Sequence, residues 1–198
     1  EGELSSGDRQ RYASIIHDEA LRLTRLLDDL LDLSVLENRQ VTLDITTGEL
    51  GRVLDRAVST ALTGTDQPIR LRRHRAAERI TICSDLDRLA QVFINIIANA
   101  QKYCDASDPV LTVSVHDVGG QIVVDFADNG SGIPVDAQSM IFEKFARVSS
   151  EKAGGAGLGL AICREIMHRL GGEIVYLPGQ EGAVFRVTLP VARDMAAE

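Results

Sequence analysis

A chain of 198 residues with 44% hydrophobic and 25% charged side chains has the make-up of a soluble globular protein, long enough for one ordinary domain plus an appendage. Aromatic residues account for only 4% and Trp is absent, so the core has to come from Leu, Ile, Val and Ala. A net charge of −8 argues against a general nucleic-acid or anionic-membrane binder, because neither polyanion gains from it.

In chain order, residues 11–37 contain neither Gly nor Pro, and Ile16, Leu23, Leu27 and Leu30 recur at the spacing of a helical seam. Ile15, Leu26, Leu31 and Leu33 widen the stripe, and charged residues fill the other face. Such a helix docks on its own domain or forms half of a helical hairpin in a dimeric bundle. After Asn38 the periodicity dissolves, and a second helix is predicted over 50–62. Gly64-Thr65-Asp66-Gln67-Pro68 is a turn signal before alternating strands near 69–73 and 79–83. Arg70, Arg72, Arg73, His74 and Arg75 read as a solvated strand end. A helix over 85–102 follows, with Asp85 or Ser84 as its cap.

Period-two runs at 110–118 and 121–127, joined by Gly119-Gly120, predict a β-hairpin. Beyond them come a Gly-rich loop, a short helix near 138–146, a second Gly-rich loop and a helix over 158–170 that stops at Gly171-Gly172. A last hairpin, 173–177 and 183–189, closes the domain. The mixture predicts an α+β fold: a two-layer sandwich of a mixed, mostly antiparallel sheet with helices on one face, preceded by a long amphipathic helix. Cys83, Cys104 and Cys163 are odd in number and widely spaced, and two of them sit in apolar-periodic stretches, so they read as small core residues in a reducing compartment. The apolar run 92–98 is too short to cross a bilayer and no signal peptide is evident, so the segment is expected in the cytoplasm.

Three stretches carry chemistry. On the helix holding Asn95, Asn99, Lys102 and Tyr103, the two amides and the ammonium share one stripe, while Phe93, Ile97 and Ala100 face the other way. An Asn carbonyl oxygen is a hard ligand of the kind Mg²⁺ accepts beside phosphates; the plain alternative is a surface helix with incidental Asn residues. Asp128-Asn129-Gly130-Ser131-Gly132-Ile133-Pro134 follows a strand, where a carboxylate can accept from an exocyclic amine such as adenine's; a tight turn before a helix is the competing reading. Gly154-Gly155-Ala156-Gly157-Leu158-Gly159-Leu160 opens a helix and exposes backbone amides to an anion. It matches neither G-x-x-x-x-G-K-[ST] nor the strand-borne G-x-G-x-x-G fingerprint. Between the last two lies Ile141-Phe142-Glu143-Lys144-Phe145-Ala146-Arg147, either a clamp for a mobile loop with two cations or a small amphipathic helix buried by its Phe residues.

The order and spacing of these stretches resemble the bacterial sensor histidine kinases, within the wider fold family of gyrase, Hsp90 and MutL ATPases. Residues 95–103 look like that family's N box, 128–132 like its first glycine box, 141–145 like its F box and 155–160 like its second glycine box. The run L-L-D-D-L-L-D-L-S-V-L-E is similar to the end of the dimerisation helix in such kinases, and D-x-x-R-L-x-Q-V-x-x-N to the approach to the N box. The likeness spans residues 10–190.

The resemblance implies an ATP site made by Asn95, Asn99, Lys102, Tyr103, Asp128, Gly130, Gly132, Ile133, Phe142, Lys144, Phe145, Arg147, Gly155, Gly157, Leu158, Gly159 and Leu160. In it Asn99 would coordinate Mg²⁺, Lys102 would contact phosphate, Asp128 would take the adenine amine, and 142–155 would form the lid. It further implies an incomplete dimerisation hairpin over 1–40, a catalytic domain over 41–192 and a tail over 193–198. The implied partners are an upstream histidine-bearing helix, a second copy in a homodimer and a response regulator receiver domain; the parent protein would be anchored in the inner membrane.

Two departures matter. His17, in H-D-E-A-L-R, lacks the Pro of an H-E-L-R-T-P motif and lies too close to Leu30, so the phosphoacceptor is expected upstream and the fragment alone is not expected to autophosphorylate. Asn95 stands where gyrase-type ATPases carry a Glu that activates water, and an Asn is no general base. That favours phosphoryl transfer by positioning over hydrolysis. A hydrolysing ATPase and a non-enzymatic interaction module remain the alternatives.

Overall fold

In the computed structural model, residues 5–38, 42–65, 68–146, 156–178 and 181–190 are described. The first helix, α1 (Ser6–Glu37), starts five residues earlier than the Gly-free run predicts. Its cap is the reason: Ser5 Oγ accepts the Asp8 N–H at 3.1 Å, which stabilises a first turn that tolerates Gly7. Most of α1 is exposed, but Leu33 and Leu36 near its end are buried in the main core. Asp32 fastens the same end from the side, accepting from Arg88 Nη1 at 2.8 Å and from Gln91 Nε2 at 2.5 Å.

The sequence shows no alternation after residue 38, yet strand β1 (Ile45–Glu49) forms there and pairs antiparallel with β3 (Thr81–Asp85). β1 is largely exposed and carries no apolar face, which explains why its pattern is silent. Between them lie α2 (Leu50–Leu62) and β2 (Arg70–Arg73). At the end of β2, the Arg73 side chain is 5% exposed and pairs with the 2%-exposed side chain of Glu78 at 2.5 Å, so part of the predicted solvated patch is a buried ion pair. Asp85 then caps α3 (Leu86–Tyr103) as expected, accepting the Arg88 N–H at 3.0 Å.

The hairpin of β4 (Val110–Val118) and β5 (Gln121–Asp128) turns at Gly119 and Gly120, both at positive φ. Helices α4 (Val135–Gln138) and α5 (Gly159–Arg169) and strands β6 (Glu173–Pro178) and β7 (Ala183–Pro190) complete the unit. The main sheet runs β2-β4-β5-β7-β6, with β2 parallel to β4 and every other pair antiparallel. The α+β layering predicted from sequence is therefore what forms.

One buried face of the sheet pairs Ile122 with Leu189, Val124 with Val187 and Phe126 with Phe185 across β5 and β7. Helix α3 lies on this face, its Phe93 ring 5.2 Å from that of Phe126. Helices α2 and α5 flank α3, and α5 also touches α1 and β6. Among the described residues no helix is long and apolar enough to cross a membrane.

The short helix expected near 138–146 does not form. Helix α4 occupies 135–138, opened by Pro134, and the chain then descends in single turns: Met140 N–H to Ala137 O, Glu143 N–H to Met140 O, Ala146 N–H to Glu143 O. Phe145 ends this descent at φ 64°, a left-handed conformation that no helix interior accepts from an aromatic residue.

Candidate functional site

Helix α3 brings the two glycine-rich segments together. Its apolar residues Phe93, Ile96, Ile97 and Ala100 are buried, which leaves Asn95 and Asn99 half-buried on the opposite side one turn apart. Asn95 Nδ2 donates to Gly159 O at 3.3 Å, so this side chain ties α3 to the start of α5. A Cβ on Gly159 would stand 3.7 Å from Asn95 Cγ, in ordinary van der Waals contact with it. At the last turn of α3, Lys102 Nζ lies 4.9 Å from the centre of the Tyr103 ring, and that ring is 45% exposed.

Asp128 stands at the end of β5, the middle strand of the sheet. Its Oδ1 accepts two backbone N–H groups, from Gly130 at 2.9 Å and from Ala183 at 3.0 Å. The carboxylate is thereby held in one orientation, with Oδ2 left out of both bonds. Two glycines permit this closeness. A Cβ on Gly182 would come 2.0 Å from Asp128 O, and one on Gly132 would come 2.9 Å from Gly182 O. Both also have positive φ. Ile133 follows, its N–H donating to Tyr176 Oη at 3.3 Å and its C=O accepting from Gln138 Nε2 at 2.8 Å.

The second glycine segment enters α5 through Gly157 at φ 72°, followed by Leu158 as the residue before the helix. Among the described residues no side chain caps this N-terminus, and its first amides carry partial positive charge. Gly157 O accepts the Phe145 N–H at 3.0 Å, and a Cβ on Gly157 would meet Ala146 O at 2.6 Å. The F-box residues thus sit against the start of α5. Beneath them Phe142 stacks edge-on to Phe185 with ring centres 6.4 Å apart, whereas the Phe145 side chain is 57% exposed.

Not every predicted site residue faces this region. The Leu158 side chain is fully buried in the core, so only its backbone is available to a ligand, whereas Leu160 is partly buried against that core. Lys144, expected as a cation for the nucleotide, instead pairs with Glu37 at the end of α1, Nζ lying 2.6 Å from Oε1. Arg147 and Gly155 lie outside the described residues. Two open hollows, of about 490 and 590 Å³, lie around the end of α5 instead, lined by His168 together with Glu37, Glu165 and Arg169 or with Arg164, Glu173 and Thr188. Neither is lined by the predicted residues. Sequence reading missed Asn129, whose Oδ1 accepts the Val110 N–H at 2.7 Å and whose Nδ2 donates to Asp108 O at 3.0 Å. It also missed Gly182 and Tyr176, which lie far along the chain and carry no motif.

Cys163, on α5, is buried with its Sγ 3.8 Å from Val92 O, and burial pushes its thiol up to about 12, against a smaller lowering by Asn95. It is a packing residue between α5 and α3, as expected of a cysteine in an apolar-periodic stretch.

The family model described as "Histidine kinase-, DNA gyrase B-, and HSP90-like ATPase" matches residues 84–193. The sensor protein KdpD of Escherichia coli is 37% identical over 182 residues, which are 91% of this chain and 20% of that protein. The sensor protein VanS of Enterococcus faecium is 32% identical over 190 residues, 94% of this chain and 49% of that protein. This chain therefore spans between a fifth and a half of these two relatives. Among solved structures, full-length ShkA in complex with AMPPNP is similar with a TM-score of 0.75 and 28% identity, covering 98% of this chain and 41% of that one. The histidine kinase AdeS of Acinetobacter baumannii shares the fold, with a TM-score of 0.72 at 23% identity, covering 97% of this chain and 88% of that one. With more than half its length matched and its relatives sensor kinases, the chain belongs to the histidine kinase-, DNA gyrase B- and HSP90-like ATPase family.

Proposed function

We propose that this chain is the ATP-binding catalytic part of a sensor histidine kinase, which transfers the γ-phosphoryl group of ATP to a histidine upstream of Glu1 for relay to a response regulator aspartate. The observation that carries the reading is the Asp128 carboxylate. Two backbone N–H groups hold it on Oδ1, and Oδ2 remains as an acceptor at the rim of a glycine-lined turn. Adenine presents an amine to such an acceptor, whereas guanine presents a carbonyl that it would repel. The start of α5 at Gly157-Leu158-Gly159, where the Leu158 side chain makes no cap, suits the phosphates. The AMPPNP complex of the related ShkA supports a nucleotide here.

Mg²⁺ would be held by Asn99 together with phosphate oxygens, where it would neutralise charge on the transferred group. Among the described residues no group of three or more His, Cys, Asp or Glu could hold a metal, which fits an ion that depends on its nucleotide. Lys102 and Tyr103 would flank the phosphates and the base. Lys144, Phe145 and Arg147 would belong to the lid. Asn95, tied to Gly159 O, supplies no base for water, which favours transfer over hydrolysis.

The α1 helix would be the second helix of the dimerisation hairpin, with the acceptor on the helix before it. The parent protein would act as a homodimer in the cytoplasm, anchored in the inner membrane. Calorimetry with ATP and GTP in the presence of Mg²⁺ tests the adenine assignment. Tighter binding of ATP than of GTP is the expected result, with an affinity loss of at least about 1.5 kcal/mol for Asp128→Asn, the scale of a charged hydrogen bond. Equal affinities for the two nucleotides would remove the role given to Asp128.

A further inference from the structure

Asp105 lies two residues beyond the end of α3, in a loop that no motif covers. Its carboxylate grips the glycine-rich turn after β5 with both oxygens. Oδ1 accepts the Ser131 N–H at 2.7 Å, and Oδ2 accepts the Ser131 hydroxyl at 2.8 Å. Gly130 makes the approach possible, since a Cβ there would stand 3.0 Å from Asp105 Oδ1 and 3.2 Å from the Asp105 nitrogen. The Gly130 N–H in turn donates to Asp128 Oδ1, so the place of this turn fixes the orientation of the Asp128 carboxylate. From the strand side, Asn129 braces the same turn on Val110 and Asp108. The turn otherwise contains the two flexible residues Gly130 and Gly132, which give it little intrinsic preference for one shape.

We propose that Asp105 is a positioning residue for adenine recognition: by clamping Ser131 it locks the turn that aims Asp128, and it links the end of the helix bearing Asn99 to the adenine end of the site. This rests on the reading of Asp128 as the adenine acceptor. Asp105 touches no nucleotide in this role. It acts by removing conformations of the turn that binding would otherwise have to exclude, which is how preorganisation raises affinity.

The test compares Asp105→Ala, Asp105→Asn, Ser131→Ala, the Asp105→Ala/Ser131→Ala double variant and Asp128→Ala in this chain, by calorimetry with ATP and GTP and by thermal melting. Asp105→Ala is expected to bind ATP about tenfold more weakly and to discriminate less against GTP, the loss expected of one charge-assisted hydrogen-bond pair. Its melting temperature should stay close to that of the parent. Asp105→Asn keeps an acceptor for the amide and a donor for the hydroxyl, so it should retain affinity within about threefold. The double variant should bind no more weakly than Asp105→Ala, because losing Asp105 already removes both bonds to Ser131, including the hydroxyl bond that Ser131→Ala deletes. Parent-like affinity and selectivity in Asp105→Ala, or additive losses in the double variant, would overturn the proposal. Should Asp105→Ala not fold, Ser131→Ala decides: undiminished ATP affinity there also overturns it. Asp128→Ala separates the two levels. If it binds ATP normally, the adenine assignment itself has failed; if it loses ATP while the Asp105 and Ser131 variants do not, only the clamp has failed.

Discussion

Asn95 and Asn99 stand one turn apart on α3 and differ in what they touch. Asn95 spends its amide on Gly159 O, and so sets how α5 begins. Asn99 is half-buried on the same side of α3. Its replacement by Ala is expected to weaken Mg²⁺-dependent ATP binding while the melting temperature holds. A helix-favouring Ala for Asn on a half-exposed position costs little in stability. A fall of many degrees on melting would instead make Asn99 structural. The same scale separates side chains from backbone in the second glycine box. Leu158 is wholly buried, so its contribution to a ligand is limited to its peptide group.

At the scale of elements, α1 divides into two unequal parts. Its final turns are built into the main core through Leu33 and Leu36 and fastened by the Asp32 bonds to Arg88 and Gln91, with Glu37 reaching Lys144. The earlier turns expose Tyr12, Ile16, Leu23, Leu27 and Leu31, each more than half accessible. Leu36→Ala is therefore expected to destabilise the chain by about 2–5 kcal/mol through an unfilled cavity. Leu27→Ala, at 57% exposure, should leave the isolated chain's stability within about 0.5 kcal/mol. Chemical denaturation of both variants checks the contrast, and equal effects would mean that the exposed turns are covered in solution. The Lys144–Glu37 pair has both partners more than 40% exposed, so it contributes at most about 1 kcal/mol and can exchange for a stronger partner.

At the scale of the whole molecule, that uncovered stripe on a chain spanning only part of its relatives' length has a consequence for assembly and activity. Each Leu removed from water contributes roughly 1.5–3 kcal/mol, so self-association through α1 is expected at raised concentration, and sedimentation across a dilution series would reveal it. Incubation with labelled ATP should leave the chain unphosphorylated, because its own His17 lies on an exposed face of α1 and lacks the acceptor motif. Supplying a partner that carries the upstream helix should restore transfer onto that partner. Acid-labile label on this chain alone, lost in His17→Gln, would refute the upstream placement.

What the sequence determined by itself are the features written over neighbouring residues. Asp85 caps α3, Gly119-Gly120 turns the β4–β5 hairpin, and the apolar alternation of β5 and β7 builds the core, each through contacts a few residues long or through a periodicity that survives any packing. The order of the four motifs belongs here too, since it alone pointed to the family. Only the tertiary structure decided the rest. β1 has no apolar face and forms because β3 offers a partner. Residues 139–145 fall out of the predicted helix because Phe145 is drawn to Gly157 O. The Asp105 clamp and the Lys144–Glu37 pair join residues 26 and 107 positions apart. Hydrogen bonds and ion pairs of that span leave no periodic trace in a sequence, because any acceptor brought within reach of a donor would serve, and which one arrives is settled by how the layers pack.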